Sequence, residues 1–203
     1  MKDLGVVISS FLSWHSHVIS IVAKCNKVLG FLRRNTPNSL GIDLRRALYL
    51  SLVRSTLCYG SQVWAPQSST RDLLLLERVQ RRASKYILAP GGACFADLSY
   101  RDRLIILDLI PVSYWFEYLD LVFFYKCRNG LFNFDIFKYV TPYSKSKVTR
   151  NSFISIDYKP NLTQTSTFKD SYLSRIIPLW NKVPLNTKES NTLSFFKTRL
   201  RSH

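Results

Sequence analysis

Two apolar segments joined by a short connector occupy residues 41–88, and they limit what this chain can fold into. The first, residues 43–58, is apolar over most of a helical circumference, which predicts a buried helix. The second, residues 70–88, separates at about 100° per residue into an apolar arc and a basic arc. A helix of this kind packs through one side and presents cations on another, so the partner of those cations is the main functional question.

The basic arc of residues 70–88 contains more cations than a solvated helix needs. Its members are Arg71, Arg78, Arg82 and Lys85, with Arg81 at the margin. The apolar arc consists of Leu76, Val79, Ala83, Tyr86 and Ile87. The helix dipole favours cations in the last turn, and this accounts for about two or three of the five. Because only Glu77 stands among them, we favour contact with nucleic acid; a plain solvated face is the alternative.

Positive charge is in excess over the whole chain. The sequence has 29 Lys and Arg against 13 Asp and Glu, a formal net charge of +16 in 203 residues. Repulsion on this scale predicts an anionic partner, and nucleic acid is the usual one. An anionic membrane surface is a weaker alternative, because the apolar arcs are needed for packing between helices.

The periodicity predicts a mainly helical protein. The first predicted part, residues 1–12, contains a short strand at residues 4–8. A three-helix bundle follows over residues 13–90 and a second helical module over residues 91–140. The last part, residues 141–203, is predicted to be irregular, with short closing helices and at most one or two short strands. The predicted helices cover 13–34, 43–58, 70–88, 99–109, 112–128 and 192–201. Ser13 is the expected N-cap of the first helix. Pro90, Gly91 and Gly92 mark the expected module boundary, and residues 153–156 alternate like an edge strand.

No group of residues in the sequence is typical of a catalytic or metal site. The four cysteines are widely separated and do not combine with the three histidines in a zinc-binding pattern. No two acids are adjacent, Glu117 and Asp120 are expected on solvated faces, and no glycine-rich phosphate loop occurs. We therefore expect no catalytic residue, no metal, no cofactor and no small-molecule substrate.

The sequence also bears on where the protein resides. Met1, Lys2 and Asp3 precede a short LGVVI segment rather than the apolar region of a signal peptide. No run of about 18 apolar residues predicts a transmembrane helix. We expect an intracellular protein, nuclear or cytoplasmic and not secreted, with reduced thiols.

Ordered motifs carry a resemblance to a known family. The chain resembles the region that follows the catalytic palm in reverse transcriptases of non-LTR (LINE-type, jockey-like) retrotransposons, through LGVVIS, LSWHSHV, ALYLSLVRSTLCYGSQVW and LLLLERVQRRASKYIL. Later segments continue the resemblance in the same order: LDLIPVSYWFEYLDLVFFYKCRNGL, residues 168–172, IIPLWNKVP and SFFKTRL. The similarity covers nearly the whole chain.

The resemblance implies a role for each early element. In that family the first helices form the thumb, which lies against the template–primer duplex, so the three predicted helices of residues 13–90 would be thumb helices. Residues 4–8 would be the last strand of the palm. The implied nucleic-acid-binding residues are Arg71, Arg78, Arg81, Arg82, Lys85, Lys24 and Lys27.

The family's catalytic aspartates lie upstream of the region that this chain resembles. The resemblance therefore implies a C-terminal part of an RNA-directed DNA polymerase that binds an RNA–DNA or DNA duplex through phosphates and does not itself polymerise. A chain that contains the palm and fingers would be a second partner. The alternative is a truncated, non-catalytic relic or protein-interaction module that does not bind nucleic acid.

Overall fold

The computed structural model describes residues 2–10, 13–66, 70–95, 97–143, 157–160 and 171–201. Within these ranges the protein is mainly helical, with two short antiparallel two-stranded sheets, so the predicted fold class is confirmed. The chain forms two compact units, a first unit over Met1–Phe116 and a second unit over Glu117–His203.

The first unit begins with β1 (Lys2–Asp3) and β2 (Val6–Val7) and continues through five helices. They are α1 (His15–Asn35), α2 (a continuous helical run of Ile42–Leu48, Tyr49–Arg54 and Ser55–Leu57), α3 (Ser61–Trp64), α4 (Thr70–Leu88) and α5 (Tyr100–Ile106). A 3-10 helix, Ala89–Phe95, connects α4 to α5. The boundary between the two units falls inside the next helix, α6 (Val112–Arg128).

The core of the first unit lies between α1, α2 and α4, as the three-helix prediction requires. Every residue of the predicted apolar arc of α4 is buried, and α4 has the predicted bounds. The buried face of α1 repeats at helical spacing and consists of Val18, Ile21, Cys25, Leu29 and Leu32. The predicted N-cap was wrong: Trp14 holds the N-cap position without a side-chain capping bond, and Ser13 lies one residue before it, with its amide donating to the Ser9 hydroxyl at 2.8 Å.

The prediction that α2 is buried was also wrong, because only one of its sides meets α1 and α4. Leu44 and Leu52 are exposed, whereas Arg45 and Arg54 are buried. The middle of α2 is π-helical over Tyr49–Arg54. A π-helical turn holds an extra residue and rotates the side chains that follow it, and no amphipathic pattern based on 3.6 residues per turn anticipates that shift.

A hairpin replaces the single strand predicted over residues 4–8. β1 and β2 pair in antiparallel register, and the turn between them consists of Leu4 and Gly5 at φ 44° and 88°. Positive φ at both central residues is the geometry that two-residue hairpins require. His17 anchors the hairpin to α1, since its Nδ1 accepts a hydrogen bond from the Val7 amide at 3.1 Å.

The first unit extends well past the predicted boundary at residues 90–92. α5 packs on α4, and the guanidinium of the buried Arg103 donates through Nε to the Ser84 hydroxyl at 3.1 Å. Leu107 and Leu109, beyond the end of α5, are buried in the same core. α5 ends at Ile106 because Asp108 adopts a positive φ of 47°, which the helix cannot contain.

Within the described residues, the second unit contains the remainder of α6, a 3-10 helix (Ile136–Lys138), a sheet and three further α-helices. They are β3 (Val140–Tyr143), β4 (Asp157–Pro160), α7 (Tyr172–Lys182), α8 (Leu185–Lys188) and α9 (Leu193–Arg201), with β3 and β4 antiparallel. α7 corrects the expectation of an irregular region: Pro178 lies inside it, and the buried side chains of Ile177 and Trp180 stabilise the helix despite the missing amide. The edge strand predicted at residues 153–156 lies outside the described residues.

Two acid–base pairs are buried in the second unit. Asp120, expected on a solvated face, is 1% exposed, and its Oδ2 lies 2.6 Å from Nε of Arg175. Lys188 Nζ lies 2.9 Å from Asp157 Oδ1, and both side chains are buried. Burial raises the pKa of the Asp120 carboxyl to about 6, against the opposing effect of Arg175. In the second unit, Arg175 and Lys188 are therefore paired with acids inside the fold.

Candidate nucleic-acid interface

The seven predicted nucleic-acid-binding residues are all exposed. Five lie on α4 and two, Lys24 and Lys27, on α1. We call the four aligned cations of α4 the basic row; it consists of Arg71, Arg78, Arg82 and Lys85. At 1.5 Å per residue the row extends over about 21 Å of helix. The basic row is thus a linear array on one side of a well-packed helix.

The acids of α4 point away from the basic row. Asp72 is buried, with its Oδ1 2.6 Å from His15 Nδ1 at the start of α1. The Glu77 carboxylate accepts hydrogen bonds from the Tyr100 hydroxyl and, at 2.9 Å, from the Val112 amide. Within the part of the chain that the structure describes, no ion pair involves a member of the basic row. The positive charge of the row is therefore not neutralised by its own helix.

Arg81, placed at the margin of the basic arc, has a different environment. Its guanidinium carbon lies 4.5 Å from the centre of the Tyr100 ring, the distance of a cation–π contact. Gln80 donates to the Tyr100 hydroxyl at 3.1 Å and to the Ile110 carbonyl at 2.9 Å. Arg81 thus leans towards α5, and it is a weaker candidate for contact with a ligand than the basic row.

The side of α1 that meets α4 carries Asn26 and Arg33, which the sequence analysis did not select. Arg82 Nη1 lies 3.1 Å from Asn26 Oδ1, so this part of α1 adjoins the basic row. At about 100° per residue Arg33 shares the azimuth of Asn26, whereas Lys24 is roughly 160° away. The structure therefore separates Lys24 from the basic row, and Lys27 lies between the two positions. The helical spacing of His15, Asn26 and Arg33 was the signal that could have identified this side.

Other chemistry is limited by burial. Burial raises the pKa of the Cys25 and Cys58 thiols to about 12, so both are protonated and poor nucleophiles at neutral pH. Among the described residues no cluster of three or more His, Cys, Asp and Glu side chains could hold a metal ion. No described helix combines the length and the apolar composition needed to cross a membrane.

Comparisons with known protein families, with curated proteins and with solved structures find no match. The resemblance to reverse transcriptases consequently rests on the sequence motifs alone.

Proposed function

We propose that this chain is the nucleic-acid-binding thumb and C-terminal part of an RNA-directed DNA polymerase from a non-LTR, jockey-like retrotransposon. It holds the template–primer duplex through phosphates, and the polymerase active site belongs to the palm. The observation that carries the proposal is the basic row itself, four exposed cations on a helix whose two acids are engaged elsewhere. The proposed setting is intracellular, in the nucleus or cytoplasm.

The geometry of the basic row suits a phosphate backbone. Phosphates follow one another at 3.4 Å of axial rise per strand, so the row of about 21 Å corresponds to roughly six nucleotide steps. Arginine, which supplies three of the four cations, binds phosphate through paired N–H donors. Such contacts position a duplex without reading its bases, so we expect binding that is strongly salt-dependent and tolerant of sequence.

Charge reversal on the basic row tests the proposal. The variant R78E/R82E should bind a fluorescein-labelled RNA–DNA or DNA duplex roughly 10- to 100-fold more weakly at low salt, because two charge-assisted contacts become repulsive. Fluorescence anisotropy measures the affinity. The matched control K2E/R101E changes the net charge equally at two exposed positions outside α1 and α4. Equal loss in both variants, or no loss in either, would contradict the proposal.

A second reading is a protein-interaction module, and one observation favours it. Several large apolar side chains of the first unit are exposed, among them Leu44 and Leu52 on α2 and Ile105 and Ile106 on α5. Exposed apolar side chains mark contacts with another protein where they form one contiguous patch. Under this reading the purified chain self-associates or captures a palm-containing chain in light-scattering experiments, and it shows no salt-dependent binding of nucleic acid.

A further inference from the structure

A basic cleft of about 330 Å³ lies in the first unit between the end of α1, residues 36–38 and the second half of α4. Arg33, Arg82 and Lys85 line it, together with Asn38, Arg45 and Tyr86. No acid lines the cleft, so all four of its charged side chains are cations. A concave site with this composition attracts an anion more strongly than an open surface with the same charges.

Arg45 gives the cleft a fixed positive charge. The residue is 3% exposed, and all three nitrogens of its guanidinium donate to main-chain carbonyls, those of Leu40 at 3.2 Å, Pro37 at 3.0 Å and Tyr86 at 3.0 Å. Carbonyl oxygens hold the group without cancelling its charge. No acid of the described part forms an ion pair with it. The centre of the Tyr86 ring lies 5.1 Å from its guanidinium carbon, a cation–π contact that stabilises the cation without neutralising it, so a net positive charge remains at the cleft.

Tyr86 supplies a second, independent sign of an incomplete site. Its side chain lines the cleft and is 3% exposed, and its hydroxyl has no hydrogen-bond partner within the described residues. A buried hydroxyl without a partner costs about 1–3 kcal/mol, so such groups are rare unless something else satisfies them. The hydroxyl is closed to solvent, so a ligand oxygen in the cleft completes it only after a shift of the Tyr86 side chain.

We propose that the cleft binds a phosphate monoester, as carried at the end of a nucleic-acid strand or by a free nucleotide. A volume of about 330 Å³ lies at the lower end of small-ligand sites and admits a nucleotide-sized group. A terminal phosphate carries more charge than a bridging one and can meet the forks of Arg33 and Arg82 together. Because Arg82 and Lys85 also belong to the basic row, the strand-end case rests on the proposed function.

Paired ligands distinguish the cleft from general backbone binding. The full chain is titrated with one blunt duplex in 5′-phosphorylated and 5′-hydroxyl forms, and separately with adenosine 5′-monophosphate. We expect the wild type to bind the phosphorylated duplex roughly 10-fold more tightly than the hydroxyl form, because the monoester gains charge-assisted hydrogen bonds. Binding of the free nucleotide would identify that source of the phosphate, and preference for the phosphorylated duplex would identify the strand end.

Two variants and one control assign the effect to the cleft. Arg33→Ala should lose the preference, while Arg34→Ala, which removes an equally exposed cation from the same last turn of α1, should keep it. Tyr86→Phe deletes only the hydroxyl and should reduce the preference roughly threefold or more without lowering Tm.

The results separate this proposal from the proposed function. Equal affinity of the wild type for both duplex forms, without binding of the nucleotide, would contradict the proposal that the cleft binds a phosphate monoester. Full preference in both Arg33→Ala and Tyr86→Phe would overturn it as well. Salt-dependent binding of the hydroxyl duplex tests the basic row separately, so either proposal can fail while the other stands.

Discussion

Two sets of positive side chains, one in each unit, have opposite surroundings. In the first unit the basic row is exposed, and the acids of its own helix are engaged with His15, Tyr100 and the Val112 amide. In the second unit Arg175 and Lys188 are buried, and each meets a buried carboxylate. The second set is therefore neutralised inside the fold, whereas the first set stays exposed, as the proposed binding of a duplex requires.

The largest effect that this comparison predicts is on the stability of the second unit. Asp120→Ala leaves the Arg175 guanidinium buried without its carboxylate, which should lower the free energy of unfolding by about 3–5 kcal/mol. Urea denaturation followed by circular dichroism measures the loss. Glu189→Ala, which removes an exposed acid from the same unit, should change it by less than about 0.5 kcal/mol. Similar small losses of stability in both variants would contradict the claim that the cations of the second unit depend on buried carboxylates.

The same carboxyl predicts a smaller effect of pH. Burial raises the pKa of Asp120 from 3.8 to about 6, so between these values the folded protein holds the proton more tightly than the unfolded chain does. The resulting stabilisation is complete below about pH 4 and is lost as the pH rises through about 6, a change on the order of 3 kcal/mol. The free energy of unfolding of the wild type and of Asp120→Asn, measured at several pH values, isolates the contribution of this carboxyl. A difference between the two proteins that does not vary with pH would show that the carboxyl does not titrate in this range.

The spacing of apolar residues predicted those helices that bury one face and expose the other. The bounds of α4 and its two arcs follow from spacing alone, because burial of one side repeats every 3.6 residues. The sequence could not show which charged residues turn inward. Arg45 is held by carbonyls that include that of Tyr86, and Asp120 by Arg175, so the partners are distant in the chain.

The remaining differences between the sequence predictions and the structure also come from packing between residues that are distant in the chain. Glycine and proline at residues 90–92 end α4 but do not divide the units, since α5 returns to pack on α4. Pro178 lies inside α7, where buried neighbours on both sides hold it in the helix. Within the candidate site, the exposure of the α4 cations followed from their spacing, while the position of Arg33 beside them required knowledge of which side of α1 meets α4.

The most direct test of the central claim is the salt dependence of duplex binding. Each phosphate contact contributes about 0.9 to the slope of log K against log salt for B-form DNA. We predict a steep negative slope for the wild type and a slope smaller in magnitude by about two for R78A/R82A, with the free energy of unfolding unchanged to within about 0.5 kcal/mol. A wild-type affinity that does not vary with salt, or identical slopes for the two proteins, would contradict the account.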